Sequence, residues 1–249
     1  MMQQRVNDQA AYVLHRRDYQ DSSLILDLFT QDFGRIGVLV KGAKKRRDIA
    51  SFQIGNRLSV SWSGKSDLKI LTQVDCQTIN IPVELLSGLF YANELLLYLL
   101  PKADAYTELF NDYQQFLIQL SQLSEDDSAS DQQQFETLLR LFEINLLTEI
   151  GTMLPLNVES DAGQAVEIDQ FYDIDVSQGV TLAAEQQRTA YNYGGKELLA
   201  IQQRDLSTAK SLQAAKKILR QIIDFNLQGR TLQSRNFYQK LNLLKKKRH

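Results

Sequence analysis

Arg35-Ile36-Gly37-Val38-Leu39-Val40-Lys41-Gly42-Ala43-Lys44-Lys45-Arg46-Arg47 decides how the chain reads. Ile36, Val38 and Val40 alternate over one strand length, and the run then passes Gly42 into four consecutive cations. Alternation at period two marks a half-buried strand, and a glycine followed by charge marks its exit into a loop. Working outward, residues 11–15 are short and apolar, and residues 23–29 put Leu24, Leu26 and Leu28 on one face. Asp32-Phe33-Gly34 turns that second strand into the third. Two further segments, 57–62 and 68–76, are joined by Ser63-Gly64-Lys65-Ser66, where glycine suits a hairpin turn.

Five short strands within about 80 residues predict an OB-type barrel, a fold that offers faces and loops to nucleic acid. Lys44, Lys45, Arg46 and Arg47 repel one another and add nothing to a core, so they either face a polyanion or only keep the loop solvated. Arg16, Arg17, Arg35, Lys41, Arg57, Lys65 and Lys69 lie in the same segment and tip the balance toward a polyanion. Aromatic residues interleave with these cations: Tyr12, Tyr19, Phe29, Phe33, Phe52 and Trp62. Most suit a core. Tyr19 and Trp62, near strand ends, are the candidates for stacking bases.

A chain of 249 residues with 43% apolar content is globular. It has no run of about 18 uncharged apolar residues, and residues 1–10 are too polar for a signal peptide, so a cytoplasmic protein without a membrane partner is expected. The single cysteine, Cys76, precludes an internal disulfide and is expected to be buried in its strand. With two histidines and one cysteine, no zinc set can be assembled, and no cofactor is implied. Asp169, Asp173 and Asp175 lie in a gapped acidic loop without the spacing of a metal site. Ser63-Gly64-Lys65-Ser66 is not a phosphate-binding P-loop, because Ser59 stands where that motif needs glycine and the segment opens no helix. Without a histidine-based nucleophile set, the chain reads as a binder and not an enzyme.

The net charge of −2 hides a partition: residues 1–82 carry +4, residues 83–195 carry −16 and residues 196–249 carry +10. Segregated charge allows a basic face on an acidic protein. Pro82 ends the strand-rich part, which predicts an α+β chain with an OB-fold nucleic-acid-binding domain at 1–81 and a helical domain at 82–249. Over residues 83–100, Leu86, Leu89, Phe90, Asn93, Leu96, Leu97 and Leu100 recur at three and four until Pro101 stops the helix. Helices are also predicted over 105–123, 135–150, 196–203 and 207–227, the last capped by Ser207 or Thr208, with another opening at Ser234. Residues 125–134 read as an exposed connection. Residues 152–195 break the helical rhythm with Pro155, Gly163, Gly179 and Gly194-Gly195, which predicts a small irregular inserted subdomain with strands near 171–176 and 180–182. The basic cluster at 245–249 reads as a frayed tail.

Arg140 is the lone cation between Lys102 and Arg188. On a helix of Leu138-Leu139-Arg140-Leu141-Phe142-Glu143 it either pairs with a carboxylate or reaches a ligand anion. In the long helix near the C-terminus, Lys210, Lys217 and Arg220 fall on a side away from Leu212, Ala215, Leu219 and Ile222, with Lys216 at its edge.

Several stretches together resemble the RecO family of bacterial recombination mediators. They are Ala11-Tyr12-Val13-Leu14-His15-Arg16, Ser22-Ser23-Leu24-Ile25-Leu26-Asp27-Leu28-Phe29-Thr30, Gly34-Arg35 and Val40-Lys41-Gly42-Ala43, followed by Asn93-Glu94-Leu95-Leu96, Leu109-Phe110-Asn111-Asp112-Tyr113, Leu139-Arg140-Leu141-Phe142-Glu143, Ile150-Gly151 and Leu232-Gln233-Ser234-Arg235. The likeness runs in order along nearly the whole chain. It implies an N-terminal OB domain, a helical domain with an insertion, and a protein that binds single- and double-stranded DNA and anneals complementary strands. It also implies partnership with RecR, contact with the C-terminal tail of single-stranded DNA-binding protein (SSB), and indirect help to the RecA filament on coated DNA. The family's SSB-tail arginine aligns with Arg140, and Lys210, Lys216, Lys217 and Arg220 are the other cations available to such a tail. Some family members carry four zinc-binding cysteines in the insertion, whereas residues 152–195 have none here. The competing reading is a non-catalytic adaptor whose barrel docks a protein.

Overall fold

The computed structural model describes residues 5–123, 129–184 and 192–235. Strands β1 (Arg5–Tyr19), β2 (Ser23–Thr30), β3 (Gly34–Val40), β4 (Arg57–Ser63) and β5 (Leu68–Gln77) pair in the order β1-β2-β3-β5-β4, and β4 returns to β1. All pairings are antiparallel except β3 with β5, which runs parallel from Gly37 opposite Leu68 to Leu39 opposite Ile70. That ring is the OB topology. Leu24, Leu26 and Leu28 point into it with Ile36, Val38, Val40, Leu58, Val60 and Trp62. Each fully buried side chain of this kind is worth about 1.5–3 kcal/mol, which sets the register of every strand.

β2 is buried on both faces, so something must cover its outside. Helices α1 (Leu86–Leu99) and α2 (Thr107–Gln122) belong to the same compact unit as the barrel, together with residues 232–235. Phe110 and Tyr113 of α2 pack on Tyr12 and Phe29, with ring centroids 5.2–6.1 Å apart. Gly34 lies at φ +61, and a Cβ there would stand 1.8 Å from the Asp104 carbonyl oxygen. Glycine is therefore required where the 101–104 segment crosses the start of β3. Glu94 of α1 accepts from the Gln233 and Ser234 amides at 2.8 and 2.9 Å and from the Ser234 hydroxyl at 2.6 Å. It caps the helical turn that begins there.

The second unit holds α3 (Ala129–Glu149), β6 (Phe171–Asp175), β7 (Gly179–Leu182), β8 (Tyr193–Gly194), α4 (Gly195–Gln202) and α5 (Ala209–Asn226). The strands form a small sheet in the order β7-β6-β8. Thr208 caps α5 by accepting from the Ser211 amide at 3.1 Å. Along α5, Leu212, Ala215, Ile218, Leu219 and Ile222 make one buried stripe.

Three expectations need correction. α3 begins at Ala129, so residues 129–134 are helical and not a connection, with Asp131 in the first turn where the helix dipole favours a carboxylate. Cys76 is exposed, because β3 pairs with β5 only up to Ile70 and the far half of β5 runs on with β4 as its ladder partner. β1 is far longer than residues 11–15. The basic cluster at 245–249 lies outside the described residues.

Candidate nucleic-acid interface

The loop after β3 is fastened to the β1–β2 end of the barrel. The Lys44 amide donates to the Ser22 carbonyl at 2.9 Å, and Lys44 Nζ reaches Asp18 Oδ2 at 2.8 Å. Gly42, at φ +64, makes the turn that an L side chain would strain. Ala43 is buried in the barrel core and the 3-10 turn Ala43–Lys45 follows it, so the backbone of the cation run is anchored while Lys44, Lys45 and Arg47 are exposed. Arg16 and Arg17 lie on β1 beside Asp18, and Tyr19 is 39% exposed at the same end.

Two of the four loop cations are engaged by carboxylates. Arg46 donates from Nε and Nη2 to Asp48 at 2.8 and 2.7 Å, a bidentate fork that also lies 5.7 Å from the Phe52 ring centroid. The Arg46 hydrogen bond holds the Asp48 carboxyl below the usual carboxylate range. Lys44 has Asp18. Both pairs are solvent-accessible, so they are weak and exchangeable.

Arg35 is placed differently. Its Nε and Nη2 donate to the Leu100 carbonyl at 3.3 and 3.0 Å, and burial lowers its pKa with Asp27 opposing. It closes the C-terminus of α1, where a cation complements the helix dipole. Arg57 pairs across β4 with Tyr12 and Gln77, Lys69 sits opposite Val38 on β5, and Lys65 lies in the β4–β5 turn. Trp62 is no stacking platform: it is 2% exposed inside the barrel, edge-on to Phe33 at 5.2 Å, because its strand position points inward.

In the second unit, α3 and α5 pack against each other, and Lys216 Nζ meets Glu136 at 2.9 Å. Arg140 Nη1 stands 3.0 Å from Oε2 of the fully buried Glu143, and the Arg140 side chain is only 11% exposed. Its Nε is buried without a hydrogen-bond partner. Arg220 reaches Asp224 at 3.6 Å, one turn on. Lys210 and Lys217 instead line a cleft against the inserted sheet. The expected cation set is thus divided between two places on α5.

No described helix is long and apolar enough to cross a membrane, and among the described residues no group of three or more His, Cys, Asp or Glu side chains could hold a metal ion. The sequence placed Asn93 among the recurring positions of α1 without showing its role. It falls on the apolar stripe of α1, yet its carboxamide serves the barrel backbone, and only a polar residue interrupting that stripe hinted at it.

The chain thus belongs to the class built from an OB-type barrel joined to a helical unit with a small inserted sheet. The family model for the recombination protein O N-terminal region matches residues 2–79, and that for its C-terminal region matches residues 83–236. DNA repair protein RecO of Methylococcus capsulatus is 37% identical over 233 residues, covering 92% of this chain and 91% of that protein. The RecO proteins of Actinobacillus pleuropneumoniae serotype 3 and Marinobacter nauticus are 35% and 33% identical, covering 92% and 97% of this chain and 93% and 97% of theirs. The chain belongs to the recombination protein O family, which serves DNA repair and recombination.

Proposed function

We propose that the protein is a non-catalytic, cytoplasmic recombination mediator that binds single- and double-stranded DNA, anneals complementary strands and, with RecR, helps load RecA onto SSB-coated DNA. One observation carries this reading: the cation loop is anchored by backbone and side-chain contacts to the β1–β2 end, which gathers Arg16, Arg17, Lys41, Lys44, Lys45, Arg46 and Arg47 along one rim. Cations there neutralise phosphate charge, counterion release drives approach of the strands, and pairing follows without bond-breaking chemistry. Arg57, Lys65 and Lys69 extend the set across β4 and β5, while Arg35 supports the rim from inside the fold. An SSB tail, acidic and ending in apolar residues, is assigned to α3 and α5 beside Arg140, whose buried unpartnered Nε–H suits a carboxylate. Such an attachment would concentrate the mediator on coated strands.

A salt series tests the barrel. Reversal of Lys44, Lys45, Arg46 and Arg47 to Glu should weaken binding similarly across sequences and flatten the salt slope by about 0.7–0.9 for each phosphate no longer neutralised. Parental affinity and slope in that variant would leave the loop idle and favour the adaptor reading.

A further inference from the structure

The four cations of the loop are engaged alternately. Lys44 meets Asp18 Oδ2 at 2.8 Å and Arg46 forks onto Asp48 at 2.8 and 2.7 Å, whereas among the described residues Lys45 and Arg47 are in no ion pair. We propose that Asp18 and Asp48 are an autoinhibitory device: each stands in for a phosphate on its cation, DNA displaces it, and it retakes the cation as the strand leaves. The inference rests on the loop being the DNA contact, and it concerns regulation of that site: how tightly, and for how long, a strand is held.

The two pairs are built for exchange and hold up little of the fold. The loop backbone is fixed without them, by the Lys44 amide on the Ser22 carbonyl at 2.9 Å, by the Lys45 and Arg46 amides on the Gly42 and Ala43 carbonyls at 3.0 and 3.1 Å, and by the buried Ala43. The four paired side chains are 34% to 71% exposed, so a phosphate reaches both pairs from solvent and neither is strong. A carboxylate offers a guanidinium the same two-oxygen edge that a phosphate does, and the Asp48 fork therefore occupies the donors that a strand would use.

Asp18 comes from the end of β1 and Asp48 from the start of the 3-10 turn Ile49–Phe52. Each is tethered within reach of its cation, so it competes at an effective concentration that an anion free in solution does not have. Lys45 and Arg47 take the first phosphates, and Lys44 and Arg46 follow by exchange. On departure the order reverses: a carboxylate that recaptures its cation as a phosphate contact opens makes release faster, and affinity differences at one interface fall mostly on that step. An annealer must give up its product, which is the use of such a device.

Titration of the full chain with a labelled oligothymidylate, followed by dissociation into unlabelled competitor, tests this. Asp18→Asn and Asp48→Asn, both isosteric and exposed, should each tighten binding about two- to fivefold at low salt and the double variant about tenfold, mostly as slower dissociation. Asp21→Asn removes the same charge from the β1–β2 turn, where among the described residues Asp21 is in no ion pair, and should change affinity by less than about twofold. The decisive measurement is coupling: in a Lys44→Ala background Asp18→Asn should do no more than Asp21→Asn does, and likewise Asp48→Asn in an Arg46→Ala background. A gain that persists in those backgrounds, or that Asp21→Asn matches, is net charge alone and overturns the device. Unchanged affinity and dissociation in the double variant also overturn it, and if reversal of the four loop cations still weakens binding, the barrel reading stands by itself. Parental binding in that quadruple variant removes both.

Discussion

The Asn93 carboxamide of α1 donates to the main-chain oxygen of Leu14 in β1 at 2.9 Å. β1 shifts register between Val13 and His15, so its ladder to β2 is interrupted at that carbonyl. Asn93 supplies the donor from a helix, with a longer approach to Val13 O at 3.5 Å, and its Oδ1 accepts from the Tyr113 hydroxyl. One buried amide therefore ties β1, α1 and α2 together. Burial raises the Tyr113 pKa well above normal, so the phenol stays a neutral donor.

Asn93→Leu should cost about 2–4 kcal/mol, since it removes the donor to a buried carbonyl and the acceptor of a buried phenol at once. Chemical denaturation checks this, with the midpoint falling and the m-value unchanged. A loss under about 0.5 kcal/mol would mean the bulge does not need the amide.

Tyr12→Phe should be neutral or stabilising. The Tyr12 hydroxyl is buried with no hydrogen-bond partner, and its ring packs on Phe110 and Tyr113 whether or not the oxygen is present. Removing an unsatisfied polar group recovers up to about 1 kcal/mol, readable as an unchanged or higher thermal midpoint.

Asp48→Asn should tighten DNA binding. The bidentate pair occupies the Arg46 fork and sets a carboxylate within the proposed DNA-binding loop. Because the Asp48 pKa is depressed, the pair is intact at neutral pH and is lost only as pH falls through that lowered value, so substitution, not mild acid, is the way to release Arg46. An exposed pair is worth about 0.2–1 kcal/mol, so a gain of up to about fivefold at low salt is expected in a filter-binding titration.

Arg140→Ala should weaken an SSB-tail peptide more than tenfold while leaving naked-DNA affinity nearly intact, as calorimetry and a DNA titration together would report. It should also lower the melting temperature, because the buried Glu143 carboxylate is deprived of its neighbouring cation. The Arg140→Ala/Glu143→Gln double variant should recover stability without recovering the peptide. Peptide binding restored along with the fold would make Arg140 a structural residue only.

The strand segments, the α1 stop before Pro101 and the α5 stripe were legible in the chain because each is a local matter of periodicity, backbone geometry and capping. The alternation of Leu24, Leu26 and Leu28 means a core face in any fold that buries one side of a strand, and Pro101 disfavours helix at Leu100 wherever it occurs. The cation run and the family likeness were equally plain, since charge and residue identity need no partner to be read.

Only tertiary structure decided what the individual cations and polar residues do. Arg35 and Lys41 look alike in sequence, yet Arg35 is turned onto the Leu100 carbonyl, 65 residues away, while Lys41 is exposed. Trp62 went inward and Cys76 outward because strand pairing, not composition, sets which face is covered. Arg140 and Lys217 part company for the same reason: one helix face meets Glu143 inside the unit and the other opens on a cleft. A charged side chain takes its role from whichever group lies within a few ångströms, and that neighbour is chosen by the packing of apolar residues elsewhere.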